Sequence, residues 1–144
     1  MRHIEGQPWP MLCRIIYTSR ARCDEHETSL LLQAARLANA RLEITGALYL
    51  SQGRFAQYLE GEEAVVAALY ERIRCDRRHT DCCLIDRRLI SLRVYAGWSM
   101  VCFSDAGSAG MLMKSLLTQS DAAMPDSALL GAFFYAMAQT GEGR

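Results

Sequence analysis

No apolar run in this chain approaches the roughly 20 residues that a membrane-spanning helix needs. The stretch from Met1 to Pro10 has charge, Trp9 and two prolines but no hydrophobic signal core. The expectation is a cytoplasmic protein without membrane association. Net charge is lacking too, since 16 basic residues balance 16 acidic ones. That speaks against a general nucleic-acid binder, while leaving room for a local charged patch. No C-x-x-C occurs, and the adjacent Cys82 and Cys83 would face opposite ways on a strand. The six cysteines (Cys13, Cys23, Cys75, Cys82, Cys83, Cys102) therefore read as reduced, small apolar residues. His3, His26 and His79 are scattered, so no metal site is expected. There is no G-x-G-x-x-G or Walker motif, and no Ser-His-Asp or paired-carboxylate arrangement. Repeats and low-complexity stretches are absent as well.

What is present is enough for one domain with a full core: 144 residues, 51% of them hydrophobic. Alternation predicts a first strand over Met11 to Ser19, with Cys13, Ile15 and Tyr17 on one face. A polar loop is expected from Arg20 to His26, then a helix over Glu27 to Ala40. Its stripe is read as Leu30, Ala34, Leu37 and Ala38, broadened by Leu31 and Ala35, with Asn39 as a C-cap. Ile44 to Ser51 and Arg54 to Gly61 form a hairpin about Gln52-Gly53. A second helix over Glu62 to Cys75 buries Val65, Val66, Leu69 and Ile73, and Asp76 to His79 closes it. Cys82 to Val94 and Trp98 to Phe103 are the last strands.

This order predicts an α+β, ferredoxin-like sandwich: a five-stranded mixed sheet with two helices on one face. Two further helices are expected, over Asp105 to Gln119 and Ser127 to Gln139, with a break at Met124-Pro125-Asp126. The other sheet face carries Ile16, Ala47, Tyr49, Ala56 and Tyr58, too apolar to stay wet. The extra helices, or a second protein, should cover it. The segment Phe133 to Met137 is a candidate contact surface, or else packs back on the sheet.

The strand from Arg54 to Gly61 organises the rest. Phe55, Gln57 and Leu59 share its core face, which places an amide between large apolar neighbours. A buried amide needs partners for two donors and an acceptor. Gln57 therefore implies a hydrogen-bond network, with Tyr17 a natural member, or a polar ligand on the core face. Asp76-Arg77-Arg78-His79 is equally open: a solvated helix end, or a clamp for a phosphate-bearing ligand.

Five motifs occur in order: Ile15-Ile16-Tyr17-Thr18-Ser19, Asn39-Ala40-Arg41-x-x-Ile44-Thr45-Gly46, Phe55-x-Gln57-x-Leu59-Glu60-Gly61, Asp76-x-Arg78-His79 and Trp98-Ser99-Met100. Together they resemble the BLUF domain, the blue-light sensor that uses FAD, over about Met11 to Phe103. The resemblance implies FAD held between the two helices over the sheet. By motif, Tyr17 is the photochemical electron and proton donor, and Gln57 bridges it to the flavin. Asn39 would bond the polar edge of the ring, and Arg72 and Ile73 would face it. Asp76, Arg78 and His79 would lie towards the ribityl-phosphate side. Trp98 and Met100 would respond to light, and which of them adjoins Gln57 is left open. Ala35 and Ala38 stand where some relatives carry polar side chains, so fewer hydrogen bonds to the ring are expected.

The implied division is an N-terminal extension over 1–10, the flavin-binding domain over 11–104 and a helical extension over 105–144. About 40 residues follow the sensor, too few for a cyclase domain, so no enzymatic output is expected. The signal would pass to a downstream protein or through a homo-oligomer. Competing readings are a flavin-dependent redox enzyme and an FAD-free ferredoxin-like interaction module.

Overall fold

The computed structural model describes residues 11–22, 24–51, 53–103, 111, 113, 115 and 126–140. The elements are β1 (Leu12–Ala21), α1 (Glu25–Arg41), β2 (Thr45–Ser51), β3 (Arg54–Glu62), α2 (Glu63–Arg74), β4 (His79–Ile90), β5 (Val101–Phe103) and α3 (Ser127–Thr140). The five strands form one sheet in the order β4-β1-β3-β2-β5. All neighbours are antiparallel except the parallel pair β2 and β5. This is the expected α+β sandwich. The first ten residues, Cys23, Gln52 and most of the expected 105–119 helix lie outside the described residues. Met111, Met113 and Ser115 are helical.

Strand alternation sorts the core into two layers. Cys13, Ile15, Tyr17 and Leu59 pack with Val66 and Leu69 of α2, and Leu48, Phe55 and Met100 pack beside Leu32 and Ala35 of α1. The opposite face gathers Ile16, Ala47, Tyr49, Ala56 and Tyr58 with Leu130, Phe133, Phe134 and Met137 of α3. The expectation that a C-terminal helix covers this face holds, and Phe133, Phe134 and Met137 point inward. Tyr135 remains exposed. Gly131 matters here, because a Cβ on it would lie 3.0 Å from Arg14 Nη2. Its absence lets α3 settle over a guanidinium that pairs with Asp86 at 2.9 Å and lies 5.6 Å from the Tyr58 ring centre.

Several boundaries and faces differ from expectation, each for a physical reason. Asp24 caps α1 by accepting from the Glu27 N–H at 2.8 Å, so the helix starts two residues early. Its outer face, not its inner one, carries Leu30 and Leu37, which are 51% and 70% exposed. The inner face is Leu31, Leu32, Ala35 and Asn39, turned towards a cavity rather than packed flat on the sheet. Asn39 is not the C-cap: α1 runs to Arg41, Leu42 caps it, and Glu43 takes the left-handed turn at φ 55°. β4 begins at His79 and ends at Ile90, shifted towards the N-terminus. Its pairing with β1 carries two irregularities, between Ile16 and Tyr17 and between Thr18 and Arg20. β5 is shorter than expected. Gly97 adopts φ 84° after Tyr95 O accepts from Trp98 N–H, and this turn delays the strand to Val101.

Candidate functional site

The β1–β3 register places Tyr17 directly opposite Gln57, and the β2–β3 register places Leu48 on its other side. Gln57 is thus held in the central strand, 6% exposed. The Tyr17 hydroxyl donates to Gln57 Oε1. Gln57 Nε2 donates to Met100 Sδ at 3.2 Å. Burial pushes the Tyr17 hydroxyl above the ordinary tyrosine pKa, with Cys82 and Tyr70 adding to the shift. The phenol is therefore a firmly protonated donor. A thioether is a weak acceptor, so the amide of Gln57 is under-satisfied for its depth.

These groups border a cavity of about 240 Å³ between α1, α2 and the sheet. Its walls are apolar: Leu31, Leu32, Ala35 and Ala38 on one side, Leu48, Phe55, Leu69 and Ile73 on the others. Its polar edge is Tyr17, Gln57 and Asn39. Asn39 Nδ2 donates to Ser99 O at 2.9 Å, and its amide oxygen accepts no bond among the described residues. Arg72, Asp76, Arg78 and His79 complete the lining. The donor set suits a flat aromatic ring with a polar edge and an anionic tail, which is the chemistry of FAD. The apolar slot would take the ring, the under-satisfied amides its edge, and the cationic side chains the tail.

The basic cluster sorts into two parts. Asp76 grips Arg78 at 2.7 Å through its Nη2, and its Oδ1 also accepts the Arg78 N–H at 2.9 Å. Arg72 is exposed and has no ion-pair partner among the described residues, which leaves it freer for an anion. Burial lowers the pKa of His79, favouring neutral imidazole. The Arg78 hydrogen bond holds the Asp76 carboxyl down at about 2, against an ordinary 3.8. A depressed folded-state pKa contributes stability that is present above the unfolded value and lost as pH falls towards 2. Asp76→Asn is accordingly expected to lower thermal stability at neutral pH by under about 1 kcal/mol, since Arg78 is half exposed. Melting curves of the two proteins should converge between pH 4 and pH 2.

Of the sequence-predicted site residues, Tyr17, Asn39, Gln57, Arg72, Ile73, Asp76, Arg78, His79 and Met100 all line this one cavity. Trp98 does not. It packs against the α3-side cluster, on the opposite face from Met100. Alternation along the expected Trp98 to Phe103 strand would put Trp98 and Met100 on one face, but β5 begins only at Val101, after the turn at Gly97. Leu32, Leu48 and Leu69 were not foreseen as cavity walls, because an apolar residue lining a slot has the same pattern as one in the core.

The family model for BLUF, sensors of blue light using FAD, matches residues 12–101. The chain belongs to this family, and FAD is the family's chromophore. It is 39% identical over 75 residues to photoactivated adenylate cyclase subunit beta of Euglena longa, spanning 51% of this chain and 9% of that protein. It is 41% identical over 96 residues to the alpha subunit of Euglena gracilis, covering 63% of this chain and again 9% of the relative. The chain thus spans about a tenth of the length of the curated relatives it matches. Among solved structures, the dark state of the BLUF protein BlrB superposes with a TM-score of 0.74 at 28% identity, over 88% of this chain and 97% of that one. Photo-activated BlsA superposes with a TM-score of 0.75 at 26% identity, over 89% and 95%. No helix among the described residues is long and apolar enough to cross a membrane.

Proposed function

We propose that this chain senses blue light through FAD seated in the cavity, with Tyr17 and Gln57 as the photochemical pair. The observation that carries this is the continuous chain Tyr17 O–H to Gln57 Oε1 and Gln57 Nε2–H to Met100 Sδ, buried along the cavity edge. Bound FAD supplies blue absorption and a transient acceptor for an electron and a proton. Tyr17 gives up the electron, and its hydroxyl, then strongly acidic, releases its proton into the Gln57 amide. Gln57 rearranges by rotation or tautomerisation before both return to Tyr17. In either case the position facing Tyr17 changes from acceptor to donor; the position facing Met100 becomes an oxygen on rotation and keeps a single N–H on tautomerisation. The amide has two arrangements of comparable energy, which is what a switch requires.

Asn39 would hold the ring's polar edge with its unused amide oxygen, Ile73 would cover its face, and Arg72 would meet the phosphates. Arg78 and His79 would lie along the tail, and Asp76 would set the angle of Arg78. Met100, rather than Trp98, is assigned as the neighbour that reads Gln57. The signal would pass through β5 and α3 to a protein partner or a second copy of the chain. The named relatives make a nucleotide cyclase the first partner class to test.

The test is a visible spectrum in darkness and directly after blue illumination. A flavin band that moves slightly to the red and returns in the dark is expected. Bleaching would point instead to a redox flavoprotein, and absence of any flavin band to a binding module without chromophore. Tyr17→Phe removes the donor and keeps the ring that packs 5.5 Å from Tyr70. It should bind FAD and give no red-shifted state, measured by the same light-minus-dark spectrum.

A further inference from the structure

We infer that Glu60 and Tyr95 are positioning residues that join the Gln57 switch to α3; this rests on the photoreceptor reading above. Strand parity sets the geometry. Gln57 and Glu60 lie three residues apart on β3, so they project from opposite faces. Glu60 is fully buried on the α3 side. One carboxyl oxygen accepts the Val94 N–H at 2.8 Å, and the other accepts the Tyr95 N–H at 2.7 Å and the Thr45 hydroxyl at 2.7 Å. Arg93 adds bonds to Thr45 Oγ1 at 2.9 Å and to the Glu60 carbonyl at 3.2 Å. Residues 93–95 are therefore anchored to the strand that carries the switch, although they belong to no strand themselves.

This segment has two working ends. At one end is Met100, whose sulfur takes the Gln57 N–H. At the other is Tyr95, 1% exposed, whose hydroxyl donates to Phe134 O at 2.6 Å in the middle of α3. Between them lie the Gly97 turn and one ladder-like bond, Gly46 N–H to Trp98 O at 3.1 Å. When Gln57 rotates and turns its oxygen towards Met100, the thioether has no hydrogen to accept and its seat is lost. The anchor at Glu60 stops the segment from absorbing that movement locally, and Tyr95 delivers it to the helix. A glutamine at 60 could not do this. Its amide would set an N–H against a backbone N–H at one of the two sites.

The experiment is hydrogen exchange by mass spectrometry on the FAD-loaded full chain, dark and illuminated, read over 127–140 beside the absorption spectrum. Wild type is expected to show the red shift and a light-dependent change in α3 exchange of about fivefold, the worth of one hydrogen bond. Tyr95→Phe should keep the red shift and lose the α3 change. Glu60→Gln should do the same. A purely structural role would alter dark exchange and leave the light-minus-dark difference in place. A wild-type red shift with an unresponsive α3, or a full α3 response in Tyr95→Phe, overturns this inference alone. Absence of any red shift in wild type overturns the photoreceptor reading and the inference with it. Tyr95→Phe removes one oxygen from a helix-capped core, so the outcome does not depend on whether Glu60→Gln folds.

Discussion

Gln57→Leu is expected to give a yellow, FAD-containing protein whose absorption no longer moves to the red under blue light. Leucine fills the space of the amide and keeps the apolar contacts of Leu48 and Phe55 on the same layer. It offers neither the acceptor for the Tyr17 hydroxyl nor the donor for Met100. Tyr17 is then a buried donor without a partner, a cost of about 1–3 kcal/mol. A melting temperature lower by several degrees should accompany the lost signal. The loss of the shift should be complete, because no other side chain among the described residues links Tyr17 to Met100. A Gln57→Leu protein with a normal light-minus-dark spectrum would remove Gln57 from the switch. The comparison with Tyr17→Phe sharpens the reading. Both should retain flavin and both should be silent, although one lacks the proton donor and the other the relay.

Gly46→Ala is expected to have the largest effect on folding. A Cβ at this position would stand 2.0 Å from the backbone oxygen of Tyr58 and 3.3 Å from Leu59 Cα. The obstacle is the main chain of β3, a strand paired on both sides, so no side chain can turn away. The β2–β3 ladder, in which Gly46 faces Leu59, would have to part. Overpacking of this kind costs upward of about 3 kcal/mol, a fall in melting temperature of about 10 °C or more. Thermal denaturation reads it directly. Because β3 carries Gln57, any folded fraction should also hold FAD less firmly, seen as a lower ratio of flavin to protein absorbance. A melting temperature near wild type would mean that β2 reaches β3 in another register.

Much of this was legible in the residues. The alternation of Phe55, Gln57 and Leu59 marked an amide on the core face, and Gln57 lies there. The apolar set Ile16, Ala47, Tyr49, Ala56 and Tyr58 called for a cover, and α3 supplies it. Period-2 and period-3.6 patterns are local, so a single strand or helix face can be read without its partners. The same local reading held only in part on α1. Leu31, Ala34, Ala35 and Ala38 of the expected stripe line the cavity, while Leu30 and Leu37 face outward. It failed at 98–100, which precede β5 and follow the left-handed turn at Gly97, so Trp98 and Met100 do not alternate as strand residues.

The order of elements, the two-sided sheet, the family and the placing of Tyr17 and Gln57 on core faces were determined by the sequence by itself. They depend on periodicity and on motif spacing, which are properties of neighbours along the chain. The register that sets Tyr17 opposite Gln57, the choice of Met100 as its neighbour and the anchoring of residues 93–95 by Glu60 were decided only by the tertiary structure. Each joins residues 34 to 43 positions apart, or 40 for the tyrosine–glutamine pair. Such contacts arise from strand pairing and helix cover acting together, and no local pattern along the chain encodes them.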